Sequence, residues 1–206
     1  MPLKNRLPAM LYRLALLAAV TAGLYLTMFG HGEGFNALSL RYFTIQSNIL
    51  VALALLYFLL SPENGRIRII VRGSVLLSII ITGLVFHTLL VPQFGELFGG
   101  GIDLSGHLTH TIAPVGFLLD WLLFERKGLM QPADLPFWTL YPLLYWLFSI
   151  WQGAETGFYP YFFMDVSTLG YGGALLWLAA LSAFFLIIGL LLLGIDRLLA
   201  RPAGQR

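Results

Sequence analysis

Apolar runs of about twenty residues, the length that crosses a hydrocarbon core, alternate with short polar links along the whole chain. They predict six spans, over residues 8–29, 42–60, 69–91, 106–124, 136–151 and 171–193. The fifth is the shortest and contains Pro142, which a membrane helix tolerates when its neighbours satisfy the freed carbonyl. No small-residue cleavage site follows the first run, so it reads as a retained span. The expected architecture is all-α: a polytopic membrane protein whose residues 1–206 form one six-helix transmembrane domain.

Composition agrees with that pattern, since 58% of the 206 residues are hydrophobic and only 11% are charged. Charge adds the orientation. Lys4, Arg6, Arg13, Arg66, Arg68, Arg72, Arg126, Lys127, Arg197, Arg201 and Arg206, eleven of the twelve basic residues, fall on one side of a six-span drawing. Arg41 alone lies opposite. The positive-inside rule then puts both termini in the cytoplasm. The basic residues sit at helix ends and form no patch, so no nucleic-acid partner is expected. The absence of cysteine excludes disulfides, thiolate metal sites and a cysteine nucleophile.

Polar residues inside apolar spans are costly and must face a partner, a cavity or water. The stretch SGHLTHTIAPVGFLLDWLLFER at 105–126 opens with His107, His110, Thr111 and Pro114 at helical spacings of three, four and seven, hence on one face. Span two begins RYFTIQSN and places Thr44, Ser47 and Asn48 on a shared face near its outer end. His87 sits in the last turns of span three. Trp146, Trp151 and Gln152 lie in or just beyond the end of span five. Four spans thus bring polar or aromatic groups to one depth, in the outer third of the membrane. The outward link 93–105 is glycine-rich. The link 152–170 is aromatic and acidic, with Tyr159 among its rings, and is placed to act as a cover. Asp120 and Arg72 lie deep toward the cytoplasmic end and are expected to form a structural ion pair.

A threonine hydroxyl becomes a nucleophile when a neutral imidazole within hydrogen-bond reach takes its proton. Thr44 and His110 have comparable depth for this. The start of span two adds a positive dipole and unpaired amides suited to an oxyanion, and Asn48 one turn on could add a donor. Asp103 and Asp165 are the candidates for orienting His110.

FTIQSN after an aromatic lead-in, HLTHTIAP on a later span and TGFYPY before the last span together resemble the androgen-induced-gene and androgen-dependent TFPI-regulating protein family of six-span membrane threonine hydrolases. This chain resembles a distant, bacterial relative. Polar Gln46, Ser47 and Asn48 replace a more apolar run after Thr44, and the 156–161 stretch is a residue tighter than the family's. The resemblance implies cleavage of fatty acyl esters, of the kind formed by hydroxy fatty acids, with Thr44 as nucleophile and His110 as base. It implies a lipid substrate drawn from the surrounding membrane, a site near the outer leaflet of the cell membrane, and no cofactor or metal. The residues alone leave other readings open. His87, His107 and His110 could hold zinc for a metal-dependent hydrolase. His87 and His110 could be axial haem ligands. A non-enzymatic transporter is the fourth reading.

Overall fold

A computed structural model describes residues 6–30, 34–61, 65–94 and 102–200. These residues are helical and contain no strand. α1 is Arg6–Phe29, α2 Phe43–Leu60 and α3 Arg66–Val85. α3 continues through a π-helical turn, Phe86–Leu90, into Val91–Phe94. α4 is built of Leu104–His107, a second π-helical turn Leu108–Ile112, and Ala113–Phe124. α5 is Leu135–Thr156 and α6 Val166–Leu198. A 3-10 turn, Ala37–Arg41, leads into α2 behind an Asn36 cap, and another, Phe162–Met164, leads into α6.

Leu7–Phe29, Phe43–Leu60, Arg66–Leu90 and Val166–Leu198 are long and apolar enough to cross a membrane. The other two expected spans fall short of that description for identifiable reasons. α4 carries two histidines, two threonines and Asp120, and α5 carries threonine, tyrosine, serine and glutamine along its length. The helix ends also differ from expectation. α5 runs on to Thr156, where Gly157 stops it in the left-handed region at φ 71°, a conformation that favours glycine. α6 opens with a capped turn at Val166, where Asp165 accepts from the amides of Ser167 and Thr168. Gly170 at φ 67° then breaks the helical backbone, and the long helix runs on from residue 171, where span six was expected.

α3 is the hub. It packs against α2, α4, α5 and α6 and is the most buried of the four long apolar helices. Two glycines let its neighbours close in: a methyl at Gly73 would lie 2.1 Å from the Trp138 ring, and one at Gly83 would lie 3.0 Å from both the His110 carbonyl oxygen and the Pro114 ring. Consecutive helices alternate in direction. One end of the bundle therefore gathers the start of α1, the end of α2, the start of α3 and the end of α4.

At that end the expected Arg72–Asp120 pair is present, at 2.5 Å, within a larger network. Arg13 Nε bonds Asp120 at 2.8 Å, and Glu125 meets Arg13 at 2.8 Å, Arg68 at 2.6 Å and Arg72 at 2.9 Å. The Phe58 ring lies beneath, 4.0 Å from the Arg72 guanidinium and 4.3 Å from that of Arg68. Burial would raise the Glu125 carboxyl, but the charges of Arg72, Arg68 and Arg13 hold it down to about 2. The sequence reading saw one pair because Arg13 and Glu125 lie at span ends, where a charge reads as an anchor in the interface.

Candidate functional site

At the opposite end α2 begins between two tyrosines. Thr44 is the second residue of the helix, so its hydroxyl has no helical carbonyl a turn behind it to bond. It faces α4 instead, and Thr44 Oγ1 lies 3.1 Å from His110 Nε2. The face expected of α2 is present: Thr44, Ser47 and Asn48 are all buried. Ser47 ties α2 to α3 through Thr82 Oγ1 at 2.8 Å. Asn48 Nδ2 donates to the carbonyls of Thr44 at 2.8 Å and Thr109 at 3.1 Å, which commits both its hydrogens to joining α2 with α4.

His110 is held from its other side. Nδ1 lies 3.1 Å from the Gly106 carbonyl, a fixed acceptor, so the proton rests on Nδ1 and the Nε2 lone pair points at Thr44. Thr109 Oγ1, at 3.0 Å, donates to the Ser105 carbonyl and adds a second polar contact to the same nitrogen. The Phe86 ring stacks on the imidazole at 3.7 Å with the planes 18° apart. The orienting group is thus a backbone carbonyl. Neither aspartate is available for it: Asp103 caps α4 through the Gly106 amide at 2.7 Å, and Asp165 caps α6.

His110 and Phe86 both lie in π-helical turns. Each turn is followed within two residues by a proline, Pro92 and Pro114, which has no N–H for the carbonyl four residues back. The ladder widens at that point, a distortion frequent at functional sites. It also breaks the single face expected of His107, His110, Thr111 and Pro114. His107 is exposed, Thr111 is half-buried and meets His87 Nε2 at 3.0 Å, and Pro114 packs against Gly83. The three histidines therefore have separate surroundings, and among the described residues no group of three His, Asp or Glu side chains could hold a metal ion. The Nε2 atoms that haem would need are turned to Thr44 and Thr111.

Thr44 also lines an apolar cavity of about 240 Å³. α3 contributes Ile81 and Thr82, α5 contributes Pro142, Tyr145 and Trp146, and α6 contributes Leu181. Leu143 and Leu186 line it while lying 42% and 46% exposed on the outer surface of the bundle, so the cavity reaches the side where lipid would lie. Tyr161, Phe163 and Met164 roof it. The 152–170 link thus contributes residues to the cavity wall; of the 93–105 link, residues 95–101 lie outside the described residues. Trp146 is in the cavity wall, stacked with Phe163 at 6.0 Å. Tyr159 packs on Gly153 instead, and Trp151 is exposed.

Two further tyrosines stand at the start of α2. The Phe43 amide donates to Tyr145 Oη at 3.1 Å, and the Thr44 amide donates to Tyr161 Oη at 3.4 Å. The amides of Ile45 and Gln46 both donate to the Tyr42 carbonyl, at 3.1 and 3.2 Å. The open amides expected at this helix start are consequently occupied. Comparison with known proteins brings no relative: no family model, no curated protein and no solved structure matches the chain.

Proposed function

We propose that this protein is an integral-membrane hydrolase of fatty acyl esters, with Thr44 as nucleophile and His110 as base. The observation that carries the reading is the 3.1 Å approach of Thr44 Oγ1 to a histidine nitrogen whose partner nitrogen is pinned on a carbonyl. A nucleophile, a base within reach and a third group orienting the base form the arrangement that activates a hydroxyl. Thr44 Oγ1 attacks the ester carbonyl carbon while its proton passes to His110 Nε2. The carbonyl electron pair moves onto oxygen, then returns to expel the alcohol, which takes the proton back from His110. Water repeats the sequence on the acyl-threonine and releases the acid.

The cavity supports an acyl chain as the part bound beside the reacting carbonyl. Its wall along α3 runs from Ile81 to Leu90, about 13 Å at the helical rise. Its edge at Leu143 and Leu186 suits a substrate that arrives from the bilayer. Membership of the androgen-induced-gene family belongs to the same proposal, since it rests on the same threonine and histidine. The test is covalent: a fluorophosphonate bearing an alkyl chain should label the purified protein, and peptide mass spectrometry should find the adduct on Thr44. An adduct elsewhere, or none, defeats the reading.

We further propose six membrane spans, with both termini cytoplasmic and the site near the outer leaflet of the cell membrane. Arg13, Arg68, Arg72, Arg126, Lys127 and Arg197 stand at the end of the bundle away from Thr44, as the positive-inside rule requires of a cytoplasmic end. A cysteine introduced at Ala203 should react with an impermeant maleimide only after cells are opened. Labelling in intact cells reverses the orientation and moves the site to the cytoplasmic leaflet.

A further inference from the structure

We propose that the Tyr161 hydroxyl donates the hydrogen bond that stabilises the oxyanion formed when Thr44 attacks an acyl ester. This inference rests on the hydrolase reading above and assigns it a third catalytic residue. Acyl transfer through a tetrahedral intermediate needs a fixed donor where the carbonyl oxygen gains charge.

The usual suppliers near Thr44 are spent. The amides of Phe43 through Gln46 all have acceptors, and the Asn48 amide group bridges two carbonyls. Tyr145 accepts from Phe43 and gives its own proton to the Arg41 carbonyl at 2.8 Å. Tyr161 differs. Its hydroxyl accepts the Thr44 amide, retains one proton to give, and the side chain it lies against is that of Thr44 itself. Its ring lines the cavity in which the ester would sit.

The position is fixed in advance of any substrate. Phe163 stacks on the Tyr161 ring at 5.1 Å with the planes 9° apart, and Tyr42 meets it edge-on at 5.9 Å. Such rigidity lets a donor act without reorganising at the moment of reaction. Burial pushes the hydroxyl up from its ordinary value of 10.0, which keeps the proton in place. When Thr44 attacks, the new C–O bond forms on its Oγ1, the proton moves to His110, and the carbonyl oxygen becomes the acceptor for Tyr161. The hydrogen bond strengthens in the transition state, so its effect falls on kcat.

Two variants test this. Tyr161→Phe keeps the ring and removes the donor. It should lower kcat about 100-fold or more, as removal of one oxyanion donor does, with KM changed by less than about threefold. Replacing Tyr161 with a fluorinated tyrosine keeps the shape, preserves the amide contact and lowers the hydroxyl's own pKa. The pH–rate profile should then gain an alkaline limb, with activity falling as that proton is lost. The other titratable side chains around the hydroxyl, Tyr42, Tyr141, Tyr145 and His110, are common to both proteins, so a new limb belongs to position 161. Tyr161→Phe with kcat within threefold of the parent, or a fluorinated protein with an unaltered profile, overturns the assignment. Thr44→Ala measured alongside separates the two claims: activity surviving there defeats the hydrolase reading itself, whatever Tyr161 does.

Discussion

Thr44→Ala and His110→Ala should each abolish ester hydrolysis and fluorophosphonate labelling while leaving a folded protein. Loss of a nucleophile or its base costs several orders of magnitude in rate, and the two effects are not additive because the groups act as a unit. The double variant should therefore be no worse than either single one. Stability should change little at Thr44: alanine at that position removes one hydroxyl, which contacts His110 and Tyr161, while the backbone amide keeps its own bond to Tyr161. His110→Ala opens space beside Phe86 and will soften that corner, so His110→Gln, which keeps bulk and polarity, is the companion variant. His87→Ala and His107→Ala should weaken activity far less, because His87 bonds Thr111 and His107 is exposed. The measurement is turnover of a long-chain acyl ester by detergent-purified protein, with melting temperature recorded for each variant. Turnover at the parental rate by Thr44→Ala ends the threonine mechanism. Equal loss at all three histidines, together with inhibition by a chelator, would point to a metal instead.

What could be read in the chain before folding was set by periodicity and depth. The helical spans, the shared face of Thr44, Ser47 and Asn48, and the meeting of Arg72 with Asp120 all follow from spacing and from the cost of polar groups in lipid. The proximity of Thr44 to His110 was legible in the same way, since antiparallel spans place the start of one beside the start of the next but one. What escaped was whatever depended on a departure from the 3.6-residue repeat. The π-helical turns move His107 off the common face and bring Phe86 onto the His110 ring. Their only signals were Pro92 and Pro114, each two residues past the end of its π-helical turn. The choice of a backbone carbonyl as the orienting group was invisible too, because carbonyls have no letter in a sequence. Among the aromatic residues of the 152–170 link, composition could mark a cover but could not choose Tyr161 over Tyr159. That choice depends on where Gly153 lets the Tyr159 ring settle, since a methyl there would lie 2.1 Å from that ring.

Removing Asp120 should be the most destabilising single change at the other end of the bundle. Its carboxylate is fully buried and receives Arg13 and Arg72, while Glu125 takes Arg13, Arg68 and Arg72. Three guanidinium groups thus share two carboxylates. Asp120→Asn leaves them with one, and breaking a buried pair by removing one partner costs about 3–5 kcal/mol, much of it for the stranded charge. The expected result is a large fall in melting temperature in detergent. If stranded charge is the cause, removing one arginine as well should restore part of the loss, so Arg13→Met with Asp120→Asn should be more stable than Asp120→Asn alone. Simple addition of two separate penalties would refute that account. The network also predicts acid sensitivity. Glu125 is held down to about 2 in the folded protein, against an ordinary value of 4.5. A depressed carboxyl contributes stability above its unfolded value, and that contribution drains away as pH falls from about 4.5 toward 2. Glu125→Gln should flatten this part of the stability curve. Along α4, His110 and Asp120 are ten residues apart, about 15 Å. Protein that remains folded after Asp120→Asn should therefore still hydrolyse ester. A variant that folds as the parent does yet has lost all turnover would place the chemistry at this end of the bundle, among the arginines, and not at Thr44.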